Sequence, residues 1–121
     1  MPQANYLLVS QNDALGQVLG HALNARWANL STAQNSDEAF RYLERDQVEA
    51  IFVDARDVSE CKPLRSRWRG PIVLLFNGDT KSAALRGYQI GADLALAIPC
   101  DSRELVARVR ALTRRIALQP S

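Results

Sequence analysis

Glu49-Ala50-Ile51-Phe52-Val53-Asp54 is the stretch that decides how the rest of the chain is read. Four apolar residues run together without interruption and end on an acid. A strand with one wet face alternates apolar and polar residues. An unbroken run suits a strand covered on both faces, as in a parallel sheet between helices. An acid closing such a run is costly unless it is paired or solvated, so Asp54 is either a functional group or a strand-end turn acid.

Outward from this run, Tyr6-Leu7-Leu8-Val9 and Ile72-Val73-Leu74-Leu75-Phe76 have the same character. A weaker run over 92–98 ends at Pro99, and residues 29–33 are assigned a strand because the alternation lacks one there. Helical patterns fill the intervals. Asp13 is placed to cap a helix with Ala14, Leu15, Val18, Leu19, Ala22 and Leu23 at spacings of three and four. Ser36, followed by Asp37 and Glu38, opens a second helix with acids at its positive end. Residues 62–68 form a short third, and residues 80–90 a fourth that stops near Gly91. Asp101-Ser102-Arg103-Glu104 has capping-box spacing, and a last helix runs to about Arg115. Five strand–helix units predict a three-layer α/β fold with right-handed crossovers. One domain spans 1–115, and residues 116–121 are a tail or the start of a linker.

The 121 residues fit one hydrophobic core. A net charge of +2 does not call for a polyanionic partner over the whole chain. Two cysteines, Cys61 and Cys100, and one histidine, His21, support neither a disulfide framework nor a metal knuckle. No metal and no cofactor are expected. The N-terminus lacks a signal-peptide pattern and no apolar run is long enough to span a bilayer, so a cytoplasmic, membrane-free protein is expected.

In an open parallel sheet, ligands bind at the carboxyl ends of the strands. There the sequence places Ser10-Gln11-Asn12, Asp54, Asn77-Gly78-Asp79 and Ile98-Pro99. Residues 6–15 (YLLVSQNDAL) and 49–54 (EAIFVD) resemble the first and third strands of bacterial response-regulator receiver domains. From Pro71 through Gly91-Ala92-Asp93 and Pro99 to residues 103–112 (RELVARVRAL), the chain is similar to the OmpR/PhoB-type subgroup. The resemblance covers almost the whole chain. It implies a flavodoxin/CheY-like fold: a doubly wound five-stranded parallel sheet in order 2-1-3-4-5 with five helices.

The resemblance also implies site residues. Asp54 falls at the phosphoacceptor position. The two acids that hold Mg²⁺ correspond to the neutral Ser10 and Gln11. Phe76 stands for the hydroxyl residue that reports phosphorylation, Ile98 for the lysine that neutralises the phosphoryl group, and Ala95 for the aromatic switch. The segment between Asp54 and Pro71 is short and lacks the Pro-Gly loop. Phosphoryl transfer relies on positioning and on neutralised charge, and Mg²⁺ on hard anionic oxygens. A degenerate pocket of Ser10, Gln11, Phe76 and Ile98 therefore predicts a receiver that works without phosphorylation and without enzymatic activity.

Arg56, two residues past Asp54, is placed to point to the same face if the chain stays extended. The expectation is a fixed Asp54–Arg56–Ser10 network, as in the Asp-x-Arg arrangement of orphan GlnR-type regulators; the alternative is an Arg56 solvated in a loop. On the last helix, Leu105, Val109 and Leu112 form a buried stripe flanked by Val106. Glu104, Arg108, Ala111 and Arg115 form a second stripe. With Asp93, the resemblance makes that stripe part of a homodimer interface built from the fourth helix, fifth strand and fifth helix. Ala84 and Leu94 depart from that charge pattern, and a solvated charged face is the alternative. The five arginines between Arg103 and Arg115 lack interleaved aromatics or a helix-turn-helix pattern, so DNA contact is expected only through a fused domain outside this chain. His21, Trp27, Trp68 and the cysteines are read as ordinary surface or packing residues. Two other readings stay open: an active receiver phosphorylated on Asp54, and a stand-alone protein-interaction adaptor.

Overall fold

Residues 4–118 are described by a computed structural model, without the side chains at 22, 24–27, 79, 117 and 118. The tail's residues 119–121 and the Trp27 side chain thus lie outside the described residues. Five strands, β1 (Ala4–Val9), β2 (Ala28–Ala33), β3 (Ala50–Asp54), β4 (Ile72–Phe76) and β5 (Leu94–Ala97), alternate with five helices. These are α1 (Asp13–Trp27), α2 (Ser36–Arg45), α3 (Cys61–Arg67), α4 (Lys81–Gln89) and α5 (Ser102–Leu118). All pairings are parallel and the order is β2-β1-β3-β4-β5, as expected.

The unbroken apolar runs explain why the sheet has two dry faces. Tyr6, Leu8, Phe52, Val73 and Leu75 pack under α1 and α5, where Leu19, Leu105, Val109 and Leu112 meet them. The alternate residues Leu7, Val9, Ile51, Val53 and Leu74 pack on the other face with Ala39, Cys61 and Leu64. Fully burying a side chain of this size contributes about 1.5–3 kcal/mol, so the two-faced β3 anchors both layers. Gly87 lets α4 lie close to β4, because a Cβ there would run into the Leu74 side chain. Gly91 ends the α4 region at φ 119°, a left-handed backbone that glycine adopts without strain.

Several local expectations shift. Asn12, not Asp13, caps α1: its side-chain oxygen accepts from the Ala14 N–H at 3.0 Å. Asn35, not Ser36, caps α2, accepting from the Glu38 N–H at 2.9 Å. Each helix begins one residue after its cap, whose side chain reaches forward to an otherwise unpaired N–H of the first turn. Ala14 and Val18, expected on the buried stripe of α1, are exposed; the buried line is Leu15, Leu19 and Leu23, at intervals of four. Between β3 and α3 the chain forms a 3-10 segment, Ala55–Glu60, which the sequence reading left unassigned. Asp101 does cap α5, accepting from the Arg103 N–H at 2.7 Å. That helix runs to Leu118, past the expected end near Arg115.

Candidate functional site

The carboxyl end of β3 delivers Asp54 into the interior at 6% exposure. Its carboxylate is held from two sides. The Ser10 hydroxyl, on the loop after β1, donates to Oδ2 at 3.0 Å, and the Arg56 backbone N–H donates to Oδ1 at 3.0 Å. Ser10 Oγ in turn accepts from the Asn12 N–H at 2.9 Å, so the hydroxyl is oriented by the same loop it anchors. Both residues of the expected network other than Asp54 therefore contact it, but Arg56 does so through its main chain. Asp54 acts as the N-cap of the 3-10 segment, which turns the chain before an extended Arg56 side chain can fold back. The Arg56 side chain is exposed.

A second carboxylate enters the site that the sequence reading missed. Asp57 accepts from the backbone N–H of Gln11 at 3.1 Å, bringing an acid to the loop position where Gln11 stands for a metal-binding acid. Burial pushes the Asp57 carboxyl above its usual range; the Gln11 N–H lowers it, Asp54 and Glu60 raise it, and Arg56 lowers it. Glu60, one further turn along, accepts from the Ser36 N–H at 3.2 Å and so braces the start of α2. The signal was present in the sequence: Asp54, Asp57 and Glu60 recur every three residues, the period of a 3-10 helix.

The recess over Asp54 is small, about 50 Å³, with room for a few water molecules. Leu15, Leu75 and Ile98 give it apolar walls, and Asn12, Arg56, Asn77 and Thr80 complete it. Phe76 ends β4 half-buried, and Gln11 points into solvent. Among the described residues no buried side-chain nitrogen or oxygen lacks a hydrogen-bond partner, and no three acid, histidine or cysteine side chains converge as metal ligands.

On the other flank, Asp93 makes its contacts within the chain. Its carboxylate takes a 2.6 Å ion pair from Arg65 and a 2.9 Å hydrogen bond from the Ile72 N–H. Arg65 also donates to the carbonyls of Gly91, Trp68 and Gly70, each at 3.0 Å. This hub ties the turn that enters β4 to the turn that enters β5, and it too went unread in the sequence. Glu104, Arg108, Ala111 and Arg115 are all exposed along α5. Arg108, Ala111 and Arg115 border a recess of about 330 Å³ with Leu94 and Leu112. Ala84 is buried, so it contributes nothing to that surface. Cys61 is a core thiol, pushed up to about 11 mainly by burial. No helix among the described residues is long and apolar enough to cross a membrane.

No protein-family model matches the chain. Over 114 residues it is 30% identical to the transcriptional regulatory protein CpxR of Klebsiella pneumoniae, across 90% of this chain and 49% of that protein. It is 26% identical over 114 residues to the sensory transduction protein RegX3 of Mycolicibacterium smegmatis, across 90% of this chain and 50% of the relative. The chain thus spans about half the length of the curated relatives it matches. A putative response regulator from Chloroflexus aurantiacus shares the fold with a TM-score of 0.80 at 24% identity, covering 94% of this chain and 100% of that one. The receiver domain of the sensor histidine kinase PA1611 from Pseudomonas aeruginosa, solved with magnesium in its active-site cleft, gives 0.77 at 22% identity, covering 93% and 99%.

Proposed function

We propose that this chain, a receiver domain of the OmpR/PhoB type of response regulator, is a non-enzymatic regulatory module that works without aspartyl phosphorylation. In this reading it homodimerises through α4, β5 and α5, and belongs to a transcriptional regulator whose DNA contacts lie in a fused domain. The observation that carries the reading is the state of Asp54. Both of its oxygens accept hydrogen bonds from the domain's own donors, Ser10 Oγ and the Arg56 N–H. Each such bond draws electron density from its oxygen and fixes the carboxylate's orientation, so Asp54 is held as a structural acceptor and a weakened nucleophile.

The residues present do not fit Mg²⁺. Ser10 is committed to Asp54 and Asn12, Gln11 is neutral and exposed, and Asp57 already accepts from the Gln11 main chain. Magnesium asks for near-octahedral oxygen ligation with carboxylates free to turn toward it. Ile98 supplies no cation to balance a phosphoryl group, the Arg56 side chain that borders the recess is exposed, and a recess of about 50 Å³ leaves such a group little space. The dimer reading is supported by the exposed Arg108–Ala111–Arg115 stripe beside Leu94. With Asp93 engaged by Arg65, the acid this stripe offers is Glu104, so packing rather than ion pairing must dominate, as exposed pairs contribute little.

The test is an amide NMR titration with Mg²⁺ and beryllofluoride, the latter standing for a phosphoryl group on Asp54, alongside sedimentation. The expected result is no saturable shift near Asp54 while the protein sediments as a dimer. Saturating shifts at Asp54 that spread to α5 would establish a working phospho-switch and remove this reading.

A further inference from the structure

Behind the Asp54 recess lies a second cavity of opposite chemistry. It measures about 230 Å³ and is framed by α1, by Leu75 of β4, by the Ile98-Pro99-Cys100 turn after β5 and by Leu105 of α5. Leu15, Leu75 and Ile98 line both cavities, each side chain forming a shared wall. Ile98 is therefore the partition between a buried acid and an apolar chamber. Where the family resemblance places a lysine, an isoleucine removes the charge that would make such a chamber unfit for an apolar molecule.

We propose that this cavity binds a small neutral apolar molecule, one aromatic ring or a short aliphatic chain, and that its occupancy reaches Asp54 through Ile98. Size sets the first limit. An apolar cavity of about 150 Å³ holds benzene, and drug-sized ligands need about 300–1,000 Å³. A volume between these suits a ring with a short substituent. Charge sets the second limit. No acidic or basic side chain lines the cavity apart from His21, which is exposed. Cys100 belongs to the apolar wall: burial first, then Glu104 and Asp101, push its thiol up and keep it protonated. A carboxylate or phosphate ligand would find no fixed counter-charge inside. The third observation is Val18, an aliphatic side chain 60% exposed although Leu15 and Leu19 on the same helix are buried. It borders the cavity from the solvent side, where an entering ligand would cover it. As a binding site the cavity stands on its own walls; as the domain's input it rests on the reading of Asp54 as unphosphorylated.

The experiment is an NMR titration of the intact chain with benzyl alcohol and, separately, with benzoate, which carries the same ring and a charge. The expected result is saturable shifts at Leu19, Cys100 and Leu105 with benzyl alcohol, followed by Ser10 and Arg56 amides, and at least tenfold weaker response to benzoate. Val18→Trp, at a position 60% exposed, should close the mouth and weaken benzyl alcohol binding at least tenfold. Equal response to both probes, or no saturation with either, would overturn the site even if the variant failed to fold. Saturation at Leu105 with silent Ser10 and Arg56 amides would overturn the coupling. A beryllofluoride response with intact benzyl alcohol binding would overturn the Asp54 reading while leaving the cavity assigned.

Discussion

Two acids at opposite flanks of β4 solve the same problem differently. Asp54 is 6% exposed and is held by a hydroxyl and a backbone N–H, with no cation among its hydrogen-bond donors. Asp93, whose side chain is 30% exposed, receives the Arg65 guanidinium at 2.6 Å and a backbone N–H. The more buried acid has the weaker partners. A low-dielectric site penalises a carboxylate most when only dipoles face it, so stability alone would have put the arginine at Asp54. The contrast teaches that the Asp93 end is built for rigidity, whereas Asp54 is a buried acid whose hydrogen-bond donors are both uncharged, with the Arg56 side chain at the rim of its recess.

The largest expected effect comes from removing the stronger clamp. Arg65→Ala leaves three carbonyls without this donor and Asp93 with the Ile72 N–H but no cation, and should cost about 2–3 kcal/mol, read as a lower urea midpoint at unchanged slope. Arg65→Lys should recover little, since an ammonium cannot reproduce the planar fork. Should Arg65→Ala prove neutral, the Asp93 end is not the rigid one and the contrast dissolves.

Asp54→Ala comes next. Loss of the acceptor for Ser10 Oγ and the Arg56 N–H should cost about 1–2 kcal/mol in the same measurement. A gain in stability instead would sharpen the comparison, because it would mark Asp54 as an acid kept against the interest of the fold.

The smallest effect concerns Asp57, the third acid, which faces Asp54 and Glu60 and is partly buried. Its folded pKa is raised, so the folded state holds the proton more tightly than the unfolded chain does. Its contribution to stability is therefore most favourable below the ordinary aspartate range and is lost as pH rises through the folded value. Asp57→Asn should remove that pH dependence and stabilise the protein at neutral pH by a few tenths of a kcal/mol, visible as a higher melting temperature. An identical pH–stability profile for the two proteins would show that Asp57 is not crowded by its neighbours.

Much of the architecture was legible because its signals are local and redundant. Residues 50–53 and 72–76 announce strands with two dry faces, and Leu105, Val109 and Leu112 announce one side of a helix. Even the poor strand at 29–33 followed from the alternation around it. The misreadings cluster where one hydrogen bond decides. Asp13 and Ser36 are as good caps by type as Asn12 and Asn35, and only the turn of the backbone selects between neighbours. Arg56 was paired with Asp54 on the assumption of an extended chain. The 3-10 turn instead gave Asp54 the Arg56 main chain and sent the side chain outward.

By itself the sequence determined a parallel sheet, its layers, and an acid at the end of the central strand with neutral or apolar residues at the surrounding positions. Periodic burial follows from residue type and spacing, which neighbours along the chain reinforce. Tertiary structure alone decided that Asp54 takes the Arg56 main chain and not its side chain, that Arg65 meets Asp93 across 28 residues, and that Ile98 separates a polar recess from an apolar cavity. Such partners depend on distances of a few tenths of an ångström between distant segments, and no local pattern encodes those distances.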